Sequence, residues 1–213
     1  MVMAASLVGG AVAPGLVASP AAAAPAATKT VSLSKGHVDL AARVIKGKLQ
    51  MLVKDGTVAG RVTWREPSKT RYVALAKAKT TVPSADSYRF LGRAGAPLWL
   101  LPQSQRSDLL WPGWNTEELK SNVVRGSVTW SLRSVRGPGA FALFTTGSFG
   151  TPQVVFDSDD RKVDRASIPL GVHAHGSWAF SKRGTYRLTF TMSAKLVSGK
   201  NVSDTEVLTV QVK

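Results

Sequence analysis

The sequence predicts an all-β fold: an immunoglobulin-like β-sandwich with an irregular Trp/Pro-rich excursion and one short helix. Three observations predict it. Apolar and polar residues alternate with period two in several segments, as half-buried strands require. Gly, Pro and Asp cluster between those segments, where turns are needed. No long stretch carries a helical period. With 213 residues, 44% hydrophobic and 19% charged, the chain is long enough for one sizeable core. No internal repeat is present.

Taken in order, residues 1–26 form "MVMAASLVGGAVAPGLVASPAAAAPA", which lacks any charge. Its short apolar core and small residues predict a secretory signal peptide cleaved after Ala26, although the usual basic start is missing. Residues 27–35 are a polar lead-in, and residues 36–213 form a single β-sandwich domain. In "KLQMLVKDGTVAGRVTW", Leu49, Met51 and Val53 alternate, and Asp55-Gly56 is the expected hairpin turn. Prolines in "GAPLWLLPQSQRSDLLWPGWNTEEL", residues 95–119, predict an ordered excursion without regular ladders. Trp99, Trp111 and Trp114 there form either a ligand-binding aromatic wall or a hydrophobic plug, the plug being favoured. "NTEELKSN" predicts the short helix, capped by Asn115 or Thr116. "GSVTWSLRSV" points Val128, Trp130 and Leu132 inward, and Pro138-Gly139 turns the chain into "GAFALFTTG". "GTYRLTFTMSAKL" is the clearest alternator, with Tyr186, Leu188, Phe190, Met192, Ala194 and Leu196 on one face. A glycine, a tyrosine and a long alternating strand resemble the penultimate-strand entry of immunoglobulin-like sandwiches. A turn at Ser198-Gly199-Lys200 leads to a last strand with Leu208, Val210 and Val212 inward.

Composition narrows the chemistry. The chain has no cysteine, which removes disulfides, thiolate metal sites and cysteine nucleophiles together. The formal charge is +15, from 28 Lys+Arg against 13 Asp+Glu. Such a surplus favours anionic partners, and an anionic cell-wall polymer is one. The basic residues are scattered and no nucleic-acid motif accompanies them, so no specific nucleic acid is expected. No apolar run suits a transmembrane segment in the mature chain. There is no GxSxG, HExxH or P-loop, and the expectation is a protein that is not an enzyme.

The three histidines carry the functional signal. His173 and His175 lie two apart in "GVHAHGSWAF", and His37 and Asp39 lie two apart in "KGHVDL". On a strand, residues i and i+2 share a face. If the two segments adjoin, three imidazoles and a carboxylate converge, a set that suits zinc, with manganese or iron(II) as alternatives. A simpler reading has the histidines bonding carbonyls at a sheet edge. "VVFDSDDRKVD" resembles the start of a calcium loop but lacks its remaining ligands, and reads as a turn. Asp157 there is a candidate second-sphere acceptor for the histidines.

These motifs resemble the actinobacterial surface-anchored protein domain, or choice-of-anchor M domain. The resemblance rests on "LSKGHVDLAARV", "YRFLGRAGAPLWLLPQSQ", "LWPGWNTEEL", "VTWSLRSVRGPGAFALF", "GSFGTPQVVFDSDD", "HAHGSWAFSKRGTYRLTF" and "VSDTEVLTVQV". It implies a secreted or wall-associated protein of a kind often encoded beside a metal-type ABC importer and its substrate-binding protein. Members commonly carry a sortase signal or a C-terminal membrane segment. Neither is seen before Lys213, so release, or retention by charge on the wall, is the expectation. Together the readings predict a metal-binding module that captures or relays a divalent ion. The alternative is an adhesion module using the Trp-rich segment and the basic surface.

Overall fold

The computed structural model describes residues 1–2, 29–160 and 164–213. The expected signal peptide lies almost wholly outside the described residues. Sixteen strands are present among the described residues. The first eight are β1 (Val31–Leu33), β2 (Gly36–Ile45), β3 (Lys48–Val58), β4 (Arg61–Arg65), β5 (Thr70–Ala74), β6 (Lys79–Thr81), β7 (Pro97–Leu101) and β8 (Leu110–Asn115). The rest are β9 (Val124–Arg136), β10 (Phe141–Thr146), β11 (Pro152–Asp157), β12 (Asp164–Ile168), β13 (His173–His175), β14 (Ser177–Phe180), β15 (Gly184–Leu196) and β16 (Asn201–Val212).

They form three sheets, ordered β1-β5-β16-β15-β9-β12, β11-β10-β14-β7-β6 and β13-β8-β2-β3-β4. The six-stranded sheet is one layer of an all-β sandwich, and the two five-stranded sheets pack against its inner face. The alternation dictates this. Every second residue of β15, from Tyr186 to Leu196, is buried, while its neighbours face outward. Trp130 and Phe190 of the first layer meet Trp114, Phe141, Phe156 and Trp178 of the second, with ring centroids 4.7–6.4 Å apart. Each of these rings buries a large apolar area in the core. Tyr186 donates its hydroxyl to the Lys182 carbonyl at 2.8 Å, a tie back to the chain four residues upstream at the entry of the penultimate strand.

Three local expectations change. The chain does not turn at Asp55-Gly56; β3 runs through it, and the reversal follows Val58 at Ala59-Gly60. The Asp55 carboxylate is instead buried, accepting from the Thr57 amide and hydroxyl and from Arg65 Nε at 2.7–2.9 Å. The Trp/Pro-rich excursion does carry regular ladders: β7 and β8 lie within it. Pro112 sits inside β8, but β13 pairs only with Gly113–Asn115, so the strand that its missing N–H would face has ended. "NTEELKSN" is not a helix. Asn115 ends β8 and the chain continues in turns, its three short 3-10 segments lying elsewhere, at Pro67–Lys69, Ala76–Ala78 and Asp86–Leu91.

Candidate metal centre

The centre is assembled on one sheet from two strands that do not touch. β2 carries His37 and Asp39, β13 carries His173 and His175, and β8 runs between them, parallel to β2 and antiparallel to β13. Strands two apart in a sheet are separated by roughly 9–10 Å, too far for side chains to share an ion across an occupied middle row. The register solves this. Gly113 of β8 lies opposite both Asp39 and His175. A Cβ at Gly113 would stand 2.5 Å from Asp39 Oδ1, 2.5 Å from the Ala174 carbonyl oxygen and 2.8 Å from His175 Cε1. The missing side chain is the space into which the two flanking strands lean.

The donors then converge. His37 Nε2 is 3.1 Å from Asp39 Oδ1 and 3.0 Å from His173 Nε2. His173 Nε2 is 3.2 Å from His175 Nε2 and 3.2 Å from Asp39 Oδ2. His175 Nε2 is 3.9 Å from Asp39 Oδ1, and one donor atom from each of the four residues lies within 4.8 Å of all the others. Ligands at 2.0–2.1 Å around a tetrahedral ion stand about 3.3 Å apart along each edge. Hydrogen bonding alone does not fill this arrangement. A ring nitrogen offers one hydrogen or one lone pair, directed along one axis. Yet His173 Nε2 has three polar neighbours within hydrogen-bonding distance.

Two of the donors, His175 and Asp39, are held from behind. Trp111, also on β8, stacks flat on His175 with centroids 3.6 Å apart and planes 8° apart. Its own indole Nε1 donates to the Gln103 carbonyl at 2.7 Å, so the shelf is fixed. Asn115 Nδ2 donates to Asp39 Oδ2 at 3.3 Å and to Glu117 Oε2 at 2.7 Å, and Asn115 Oδ1 accepts the Glu117 amide at 2.9 Å. Lys54 Nζ reaches the same Glu117 oxygen at 2.9 Å. These two donors, Asn115 first, hold the Glu117 carboxyl down to about 2, so an anion stays at the rim beside His173. Thr116 fixes the entry to β13: its amide and carbonyl bond Val172 and Gly171, and its hydroxyl donates to Pro169.

Exposure grades across the cluster, with side-chain values of 0% at Asp39, 9% at His175, 24% at His37 and 34% at His173. The centre therefore opens to solvent at His173. Burial lowers the His175 pKa to about 4; Asp39 opposes the shift, and the other two imidazoles reinforce it. The ring is neutral at pH 7, the state in which imidazole binds metal.

The structure thus brings together all four residues of the two H-x-[HD] pairs. It does not bring Asp157 to them. The Asp157 carboxylate accepts the Asp159 amide within its own turn, and burial, followed by the neighbouring aspartates, raises its pKa. The sphere behind the donors is Asn115 and Glu117 instead. The three tryptophans form no exposed wall: Trp99 and Trp114 are buried in the core, and Trp111 is the shelf under His175. Sequence reasoning missed Gly113, Asn115 and Glu117, although "WPGWNTE" displays them with the alternation of a strand.

A comparison with protein-family models, curated proteins and solved structures finds no significant match to this chain. What the fold and the site define is an all-β sandwich bearing a His3Asp cluster able to hold a metal ion.

Proposed function

We propose that the protein is an exported metal-binding module, with zinc as its first-choice ion, which captures or relays a divalent cation for an ABC importer. One observation carries the reading: among three imidazole nitrogens and the Asp39 carboxylate, four separations are 3.0–3.2 Å, close to the edges of a tetrahedral zinc shell, and one donor atom from each residue lies within 4.8 Å of the others. Neutral imidazoles and a single carboxylate favour zinc over magnesium or calcium, which prefer all-oxygen shells. Manganese or iron(II) would require water to expand the shell, and the His173 side is where it would enter. Four protein donors fill a tetrahedral shell, which favours holding an ion over hydrolysis at an open position. Asp39 and His175 form the fixed floor, and the more exposed His173 is the ligand that an ion meets first and leaves last. The resemblance to the choice-of-anchor M domain supports the export and importer parts of the reading.

Isothermal titration of purified protein with zinc, manganese and iron(II) tests it. The expected result is one saturable zinc site per chain, abolished in the His173→Ala/His175→Ala variant. No saturable binding, or equal binding by that variant, would count against it. Zinc passing from the loaded protein to a metal-importer substrate-binding protein faster than to a free chelator would bear out the relay.

A further inference from the structure

The outer face of the six-stranded sheet is chemically unlike the rest of the molecule. The outward positions of β9, β15 and β16 carry Ser, Thr, Asn, Gln, Arg and Lys, one valine and no acidic residue. The acidic side chains of β16 are directed elsewhere: Asp204 turns to the other side, where it accepts the Met51 amide. The aromatic residues of β9 and β15 are all buried on the inner face.

Two cross-strand rungs on this face pair like charges. Arg187 lies directly opposite Arg136, and Lys195 directly opposite Arg125. All four are exposed, and no ion pair joins any of them to a carboxylate among the described residues. Like charges in register across two strands are destabilising. A sheet that places two such rungs on one face is arranged for an anion to bridge them. The rungs are eight residues apart along β15, about 27 Å. Between them runs a track of hydroxyls: Thr189 opposite Ser134, which donates to it, Thr191 opposite the buried Ser131, and Ser193 opposite Thr129. The Lys195–Arg125 rung also borders a shallow trough of about 440 Å3 that includes Ser127, Thr129, Ser193 and Ser203.

We propose that this face binds a phosphate-linked polyol chain, with phosphates seated on the two cationic rungs and polyol hydroxyls along the Ser/Thr track. Arginine pairs bind phosphate oxygens through their forked donors, and a track of side-chain hydroxyls can both donate to and accept from polyol oxygens. The absence of an outward aromatic disfavours single-stranded nucleic acid, whose bases stack on such rings. A hydroxyl-covered sheet face also offers no element to enter a duplex groove. This site is separate from the histidine centre and does not depend on it.

The test is binding of a defined glycerol phosphate oligomer to the full chain by titration calorimetry at low and moderate salt. Arg125→Ala/Lys195→Ala and Arg136→Ala/Arg187→Ala should each weaken binding at least about tenfold and flatten its salt dependence. Both should fold as well as the parent, because each removes a repulsive rung. The charge-matched control Arg61→Ala/Arg93→Ala, on exposed side chains of the other two sheets' side of the molecule, should change binding by no more than about twofold. Thr129→Val/Thr191→Val should weaken the glycerol phosphate oligomer while leaving inorganic polyphosphate unchanged, and chelator should have no effect. The proposal is overturned if the control variant loses as much affinity as the rung variants. It is equally overturned if the rung variants bind normally, or if duplex DNA at equal phosphate concentration binds as tightly as the oligomer.

Discussion

Replacing Gly113 by alanine tests whether the centre depends on an empty position in the strand between its two halves. The added Cβ would lie 2.5 Å from both Asp39 Oδ1 and the Ala174 carbonyl oxygen. Ordinary carbon–oxygen contact begins near 3.4 Å, so roughly 0.9 Å of overlap must be relieved on each side. Gly113 does not need a left-handed backbone, so the penalty is one of space alone. Overpacking of this kind costs about 1–3 kcal/mol where neighbours are rigid. Here β13 is a three-residue edge strand and can yield, which places the stability cost at the low end. The metal site has no such tolerance. Moving β13 outward carries His173 and His175 away from His37 and Asp39, and ligands must sit within about 0.2 Å of ideal distance. Zinc affinity should therefore fall at least about 100-fold, while the metal-free protein loses only about 1 kcal/mol. Titration calorimetry with zinc and urea unfolding in chelator give the two numbers. A Gly113→Ala protein that binds zinc within twofold of the parent would refute the reasoning, because the donors would then converge without the gap.

Other outcomes follow from the same geometry. Asn115→Ala removes the amide that orients Asp39 and should weaken zinc binding by about 10–100-fold without abolishing it, measured by competition with a chromophoric chelator. Zinc affinity should decline in acid, because the ligand imidazoles must be deprotonated, and should be lost below about 4, where the His175 ring takes a proton; affinity unchanged between about pH 7.5 and 3.5 would contradict imidazole ligation. Burial works to raise the Asp55 carboxyl, but its hydrogen bonds from Thr57 and Arg65 outweigh burial and hold it below its ordinary value. A depressed folded pKa means that this stability is present above the unfolded carboxylate range and is lost as pH falls through the folded value. Denaturant unfolding of the parent and of Asp55→Asn in chelator should therefore converge as pH drops below about 4.

The long strands were legible because their chemistry is local. In β15, six alternate apolar residues specify both the strand and its buried face, and the structure buries all six. The two H-x-[HD] pairs were legible for the same reason: spacing of two fixes a shared face whatever the tertiary context. The joining of those pairs through β8 was not legible, since it depends on a non-local register that brings Gly113 opposite Asp39 and His175. Asp55-Gly56 misled because its dipeptide is a strong turn signal. Buried ligation of Asp55 by Arg65 and Thr57, together with a bulge between Asp55 and Val58, carries the strand through it. "NTEELKSN" misled through its capping pattern. Asn115 and Glu117 use those side chains to brace Asp39 rather than to start a helix. The prolines of residues 95–119 argued against ladders, but Pro97 begins its strand and Pro112 faces past the end of β13.

X-ray absorption at the zinc edge of the fully loaded protein addresses the ligand set itself. Four light-atom neighbours at 2.0–2.1 Å, with the outer-shell scattering of three imidazole rings, would match His37, His173 and His175 joined by Asp39. A longer shell of about six oxygens, or scattering from fewer than two imidazoles, would mean that the ion sits elsewhere and that the convergence of these side chains has another cause.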